Sequence, residues 1–145
     1  MVLDVLVVPD PILKQKASPV VTFDAALEKF IDDMYDTMVE NHGIGLAAPQ
    51  VGILQRVVVV WYHNRKMALI NPEILTAQGS LISDEGCLSL PHVRLDIKRA
   101  DKITLKAQNK KGKWIQLKEK GIISRVIQHE LDHLDGILIT DRYAK

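Results

Sequence analysis

The segment that most constrains this chain lies near its C-terminal end: Q-H-E-L-D-H-L-D-G, residues 128–136. An α-helix turns once per about 3.6 residues, so His129 and His133 project from one face and can share an ion, with Glu130 on the flank of that face. H-E-x-x-H around a divalent metal is a recurring arrangement for activating water, the glutamate serving as general base. Two ligands do not make a stable centre, however. A catalytic site of this type usually takes three protein ligands and leaves one position open. The fold therefore has to bring another part of the chain against a helix that comes almost last.

Counting excludes the familiar downstream solutions. The pattern H-E-x-x-H-x-x-G-x-x-H is met as far as Gly136, but its last histidine would fall at position 139, which is Ile139. A downstream glutamate is missing too: after Glu130 the acids are Asp132, Asp135 and Asp141. The third ligand thus lies upstream, and the strong candidate is the single cysteine, Cys87, in D-E-G-C-L-S-L-P, residues 84–91. Alone, such a cysteine reads most simply as a small buried hydrophobe. An unfinished H-E-x-x-H site in the same chain reverses that reading. Cys87 follows a glycine and precedes a short apolar run ended by Pro91, the setting of a strand entering a turn, where backbone can approach a ligand closely.

A third stretch, H-G-I-G-L-A-A-P-Q at residues 42–50, combines two glycines and two alanines, which let another backbone come near, with Gln50, whose amide can donate a hydrogen bond. G-x-G alone signals little more than a turn. Taken in order, G-I-G-L-A-A-P-Q, E-G-C-L-S and Q-H-E-x-D-H resemble the three signature motifs of peptide deformylases. The resemblance extends from V-L-V-V-P-D-P-I-L-K at residues 5–14, through I-N-P-E-I-L at residues 70–75, to the helix of the two histidines.

The resemblance implies a metal-dependent hydrolase that removes the formyl group from the N-terminal formyl-methionine of nascent chains and releases formate. It implies Cys87, His129 and His133 as metal ligands, Glu130 as catalytic acid and base, and Gln50 with the Leu88 backbone N–H as oxyanion donors. Substrate would be met by Gly43, Ile44 and Gly45, by Glu85, Gly86 and Arg94, and by Ile122 and Val126. Arg94 has an alternative use as an ion-pair partner of Glu85. The family works with one divalent ion per chain, Fe2+ in the cell with Zn2+, Ni2+ or Co2+ as substitutes; the ligand set alone does not choose between them. The fold implied is α+β, mainly antiparallel sheets around a central metal-bearing helix, with residues 1–145 as one catalytic domain working as a monomer. Bacterial members usually continue into a C-terminal extension that docks on the ribosome. Here only I-L-I-T-D-R-Y-A-K follows Gly136, as in short forms carried by some phages or in a shortened chain, and activity is expected to survive the short tail.

The residues also suggest elements. Leu27, Phe30, Ile31, Met34 and Met38 recur at helical spacing over residues 24–41 with acids between them, an amphipathic helix whose methionines fill core. R-V-V-V-V-W-Y at 56–62 is a β-branched run suited to a buried strand, with K-M-A-L-I-N-P returning beside it. Ile103, Leu105 and Ala107 alternate with polar residues before the turn N-K-K-G and a second strand through Trp114, Ile115 and Leu117. The last helix begins near Gly121 or Ser124 and ends by Gly136, with Ile123, Ile127, Leu131 and Leu134 toward the core. His42, His63 and His92 lack spaced partners and read as surface or turn residues.

Composition limits the alternatives. At 145 residues the chain is of single-domain size, and a net charge of +1 neither demands nor forbids a nucleic-acid partner. The charge is unevenly spread: residues 98–120 carry nine basic side chains against Asp101 and Glu119, a local +7. A solvated hairpin kept from unwanted pairing by its lysines accounts for this segment; so does a weak electrostatic contact with ribosomal RNA. A single cysteine fits a reducing compartment. The opening M-V-L-D-V-L-V-V-P is short, lacks a basic flank and contains Asp4, unlike a secretory signal, and no apolar run is of membrane-spanning length. Cytoplasm, or host cytoplasm for a phage protein, is the expected location. Two other functions compete: an H-E-x-x-H metallopeptidase and a non-enzymatic metal-binding protein. A structural metal would ordinarily take four protein ligands and give Glu130 no task.

Overall fold

The structure, a computed structural model, describes residues 1–143. Helix α1, Ala25–Glu40, starts where the Asp24 side chain accepts a hydrogen bond from Leu27 N at 2.9 Å, satisfying one of the free amides of the first turn. Its Leu27, Ile31, Met34 and Met38 form the buried stripe, as their spacing predicts.

Strands β1 (Gly45–Ala47), β2 (Val57–Tyr62), β3 (Arg65–Gln78), β6 (Lys102–Gln108) and β7 (Trp114–Lys120) form one antiparallel sheet in the order β1-β2-β3-β6-β7. The unbroken valine run of β2 is explained by helices on both faces. Val57 and Val59 pack with α1, whereas Val58 and Val60 pack toward α2, Gly121–Leu134. Alternation would have left one face wet; here each valine contributes about 1.5–3 kcal/mol of burial.

β3 is longer than the expected return strand because it serves two neighbours. Residues 65–70 pair with β2, and after a register shift between Ile70 and Glu73 the strand pairs with β6. Asn71 marks the shift: it takes φ 51, a left-handed value that asparagine tolerates, and its side chain accepts from Val20 N and donates to Val20 O and Gln108 Oε1.

A second, two-stranded sheet, β4 (Leu81–Cys87) and β5 (Leu90–Arg99), stands apart from the first. Beneath it Leu13, Leu90, Ile97, Leu138 and Ile139 make a smaller core, the last from α3, Ile139–Arg142. Ile139, where the longer peptidase pattern wants a histidine, is 2% exposed within this apolar cluster.

Ile127, Leu131 and Leu134 turn one side of α2 into the main core. Gly136 ends the helix at φ 73, where a side chain would also collide with the Lys14 carbonyl. The architecture is α+β, with antiparallel sheets about this helix. Among the described residues no helix is long and apolar enough to cross a membrane.

Candidate metal centre

Helix α2 presents His129 and His133 one turn apart with ring centroids separated by 5.1 Å. The third ligand arrives on β4. A register slip between Gly86 and Cys87 turns the strand end toward the helix just before the Leu88-Ser89 turn. The ligand atoms of Cys87, His129 and His133 lie within 4.8 Å of one another, with Cys87 Sγ 3.3 Å from His133 Nε2. His129 Nδ1 donates to Glu85 Oε1 at 2.9 Å, which leaves its Nε2 lone pair for a cation. One sulfur and two imidazole nitrogens, with an open side toward a cavity, fit a divalent metal centre.

Electrostatics point the same way. Burial pushes the pKa of His133 down to about 3, and the His129 and Arg99 charges add to the effect. At His129 burial opposes the charged form, yet the Cys87 sulfur, Glu130 and Glu85 carry the pKa up to about 10. His133 is thus kept neutral, with a lone pair to offer, while the groups around His129 favour a positive charge where a cation would sit.

Glu130, the residue after His129, is 5% exposed, and its Oε1 has no partner among the described residues. Burial lifts its pKa to about 7 although His129 and Arg99 pull it down. A carboxyl poised to exchange a proton near neutrality is what acid–base work requires. Gly45 makes room for it: a Cβ there would stand 2.7 Å from Glu130 Oε2 and from Val126 Cγ1.

Gln50 is held by its oxygen. Oε1 accepts from Ala47 N at 3.0 Å, so Nε2 points inward, 3.2 Å from Ser89 Oγ and 3.7 Å from Cys87 Sγ. Every residue that the sequence places in the site lines one cavity of about 620 Å³, except His133, which is buried behind it. Arg94 pairs with Asp84 at 2.6 Å rather than with Glu85. Glu85 is already engaged: Arg99 donates to it at 2.7 and 3.0 Å, in addition to His129. Burial alone would raise Glu85, but these donors hold its carboxyl below the ordinary range.

Sequence reasoning missed this support. Arg99 also donates to Asp132 at 2.8 Å, and Asp132 accepts from Arg142, forming a chain of charges behind His129. In the sequence Arg99 is one of many basic residues, and no spacing links positions 85, 99 and 132. His42, His63 and His92 occupy exposed positive-φ positions and stand outside the ligand cluster.

The family model described as polypeptide deformylase matches residues 2–145. A peptide deformylase from Dictyoglomus turgidum is 49% identical over 142 residues, covering 98% of this chain and 93% of the relative. The crystal structure of peptide deformylase from Thermotoga maritima superposes with TM-score 0.98 at 43% identity, covering 100% of this chain and 99% of that one. A class I type b peptide deformylase from Acinetobacter baumannii with bound Met-Ala-Ser superposes with TM-score 0.94 at 35% identity, covering 98% of each chain.

Proposed function

The chain belongs to the polypeptide deformylase family, whose reaction is hydrolysis of the formyl group of an N-terminal formyl-methionine, and we propose how its own residues perform that reaction. Cys87, His129 and His133 would hold the metal. When bound, the ion supplies Lewis acidity that brings the pKa of water toward neutrality and polarises the formyl oxygen. Glu130 takes the proton from water as it attacks the formyl carbon, and returns it to the departing amine. The Gln50 Nε2 and the Leu88 N–H donate to the oxyanion that develops on the tetrahedral carbon. The observation that carries this reading is the meeting of Cys87 and the two helix histidines beside a buried Glu130, with the Gln50 amide turned to the same point.

For the methionine side chain we assign the apolar wall of Ile44, Ile122 and Val126; Ile44 and Ile122 are 39% and 38% exposed although large and apolar. β1 is an edge strand, so the Gly43–Gly45 backbone can pair with an extended peptide as an added strand. We assign Fe2+ as the cellular ion, with Zn2+, Ni2+ or Co2+ able to replace it, and a monomeric single-domain enzyme of the cytoplasm. Turnover of formyl-Met-Ala-Ser by anaerobically purified protein reconstituted with each metal tests the assignment, with Cys87→Ala and Glu130→Gln as controls. Absence of turnover with every metal, one ion being bound per chain, would reopen the peptidase and non-enzymatic readings.

The basic hairpin β6–β7 supports a weak ribosome contact. Lys110 and Lys111 lie near Glu28, and Lys106 near Glu73, but Lys102 stands directly opposite Lys120 across the strands. Like charges in register cost stability unless an anion is shared. Reversing Lys102, Lys118 and Lys120 to glutamate should reduce co-sedimentation with ribosomes at low salt; equal binding would remove this part of the proposal.

A further inference from the structure

The cavity wall carries a charge that the chemistry above does not use. Arg125 lies on the site face of α2 with Ile122, Val126 and His129, at spacings that align along one side of a helix, and it lines the same cavity. Its guanidinium makes no hydrogen bond or ion pair among the described residues, and its Nε is buried without a partner. The other charged groups of the wall are committed. Arg94 is paired with Asp84, and Glu85 with Arg99 and His129, while Glu130 sits at the reacting centre.

Nε is enclosed, but the two terminal guanidinium nitrogens are neither enclosed nor partnered among the described residues, and a ligand that supplies a carboxylate to the cavity can meet them. The planar donor fork suits two carboxylate oxygens, and low local dielectric inside a cavity strengthens the pair. Among the described residues no acid fills that role. We propose that Arg125 is a specificity-determining residue that favours formyl-methionyl peptides with an acidic side chain at the first or second position after the methionine. This rests on the deformylase reading of the cavity. The methionine itself needs only the apolar wall of Ile44, Ile122 and Val126, so the preference is laid over methionine recognition. It acts on binding, because the guanidinium is one helical turn from the metal ligand and touches no reacting atom.

The test compares formyl-Met-Glu-Ser with formyl-Met-Lys-Ser, and formyl-Met-Ala-Glu with formyl-Met-Ala-Lys, using the metal-loaded protein. In at least one pair the acidic peptide should show a kcat/KM roughly tenfold higher, carried by KM rather than kcat and reduced at high salt. Arg125→Met should bring the ratio close to one, Arg125→Glu should invert it, and Arg125→Lys should keep part of it. Binding of unformylated Met-Glu-Ser and Met-Lys-Ser, followed by calorimetry, reads the same order without turnover. Failure to turn over any formyl peptide would strike the proposed function, whereas the product peptides would still decide the role of Arg125. An acidic-to-basic ratio identical in the unsubstituted protein and in Arg125→Met, in both rate and binding, overturns the inference.

Discussion

The two long helices solve opposite problems. α1 buries one apolar stripe, leaves most of its acids in water and takes in only Asp33 and Thr37 as polar groups, both hydrogen-bonded, so most of what it contributes is hydrophobic burial. α2 is buried over most of its circumference. Ile127, Leu131 and Leu134 enter the main core, while Ser124, Glu130, Asp132 and His133, spread around the remainder, are also taken out of water. Desolvating those polar groups is costly unless partners are supplied. Arg99 and Arg142 donate to Asp132 and Gln128 to Ser124 Oγ, whereas Glu130 Oε1 and His133 Nδ1 remain without a partner among the described residues. The contrast teaches where stability and function reside. α1 holds the molecule together, and α2 invests part of its burial in a site.

Substitutions should separate these roles. The largest effect is expected from Cys87→Ala, which removes a ligand and with it both bound metal and turnover, read by metal analysis and kinetics. Glu130→Gln should retain the metal and the fold but lower kcat by about 100- to 10,000-fold; loss of the ion as well would mean that Glu130 is a ligand. Next, removing the Gln50 donor with Gln50→Ala should cost roughly 100- to 1,000-fold in kcat. On the other helix, Met38→Ala, at a site with 0% exposure, should lower unfolding stability by about 2–5 kcal/mol with kcat per folded molecule retained. If its kcat falls with stability, the division between the helices fails.

The smallest effect concerns pH. In metal-free protein Glu130 has a pKa of about 7, above its ordinary 4.5. Its contribution to stability is therefore fully present below about 4.5 and lost as pH rises through about 7. His133 runs the other way: its pKa falls from 6.5 to about 3, so its contribution is present above 6.5 and lost as pH falls toward 3. Urea unfolding of the metal-free protein between pH 5 and 8 should show a shallower loss with rising pH in Glu130→Gln. Identical slopes would show that Glu130 does not titrate there. In loaded enzyme a bound cation favours the carboxylate, so the acid limb of kcat/KM belongs at or below about 7.

Much of the fold was legible because it is written in local patterns. The stripe of α1, the valine run of β2, the β6–β7 hairpin and the limits of α2 all follow from periodicity and turn residues. The short β1 and the strand β5 carry no such pattern, and of β4 the sequence shows only its end, where Cys87 enters a turn. G-L-A is too short to show a period, and β4–β5 is mostly half-exposed, with a small core that includes Leu13 and Ile139 from distant parts of the chain. In the site, residues in contiguous motifs were named from the sequence. Arg99, Asp132, Ser89 and Arg125 carry no such signal, since each acts through a neighbour far away in the chain or through lacking one.

Residue order alone specifies the chemistry available: two histidines on one helix face with a glutamate on its flank, a single cysteine, and a glutamine amide at the end of a glycine-rich segment. Helical spacing and side-chain type are local properties, so one dimension suffices for them. Tertiary structure decided which of these groups meet and in what state of charge. Only folding brings Cys87 to His133, turns Glu85 and Arg99 behind His129, and buries Glu130 deeply enough to move its pKa to about 7. Those are properties of distance and dielectric, which the order of residues does not contain.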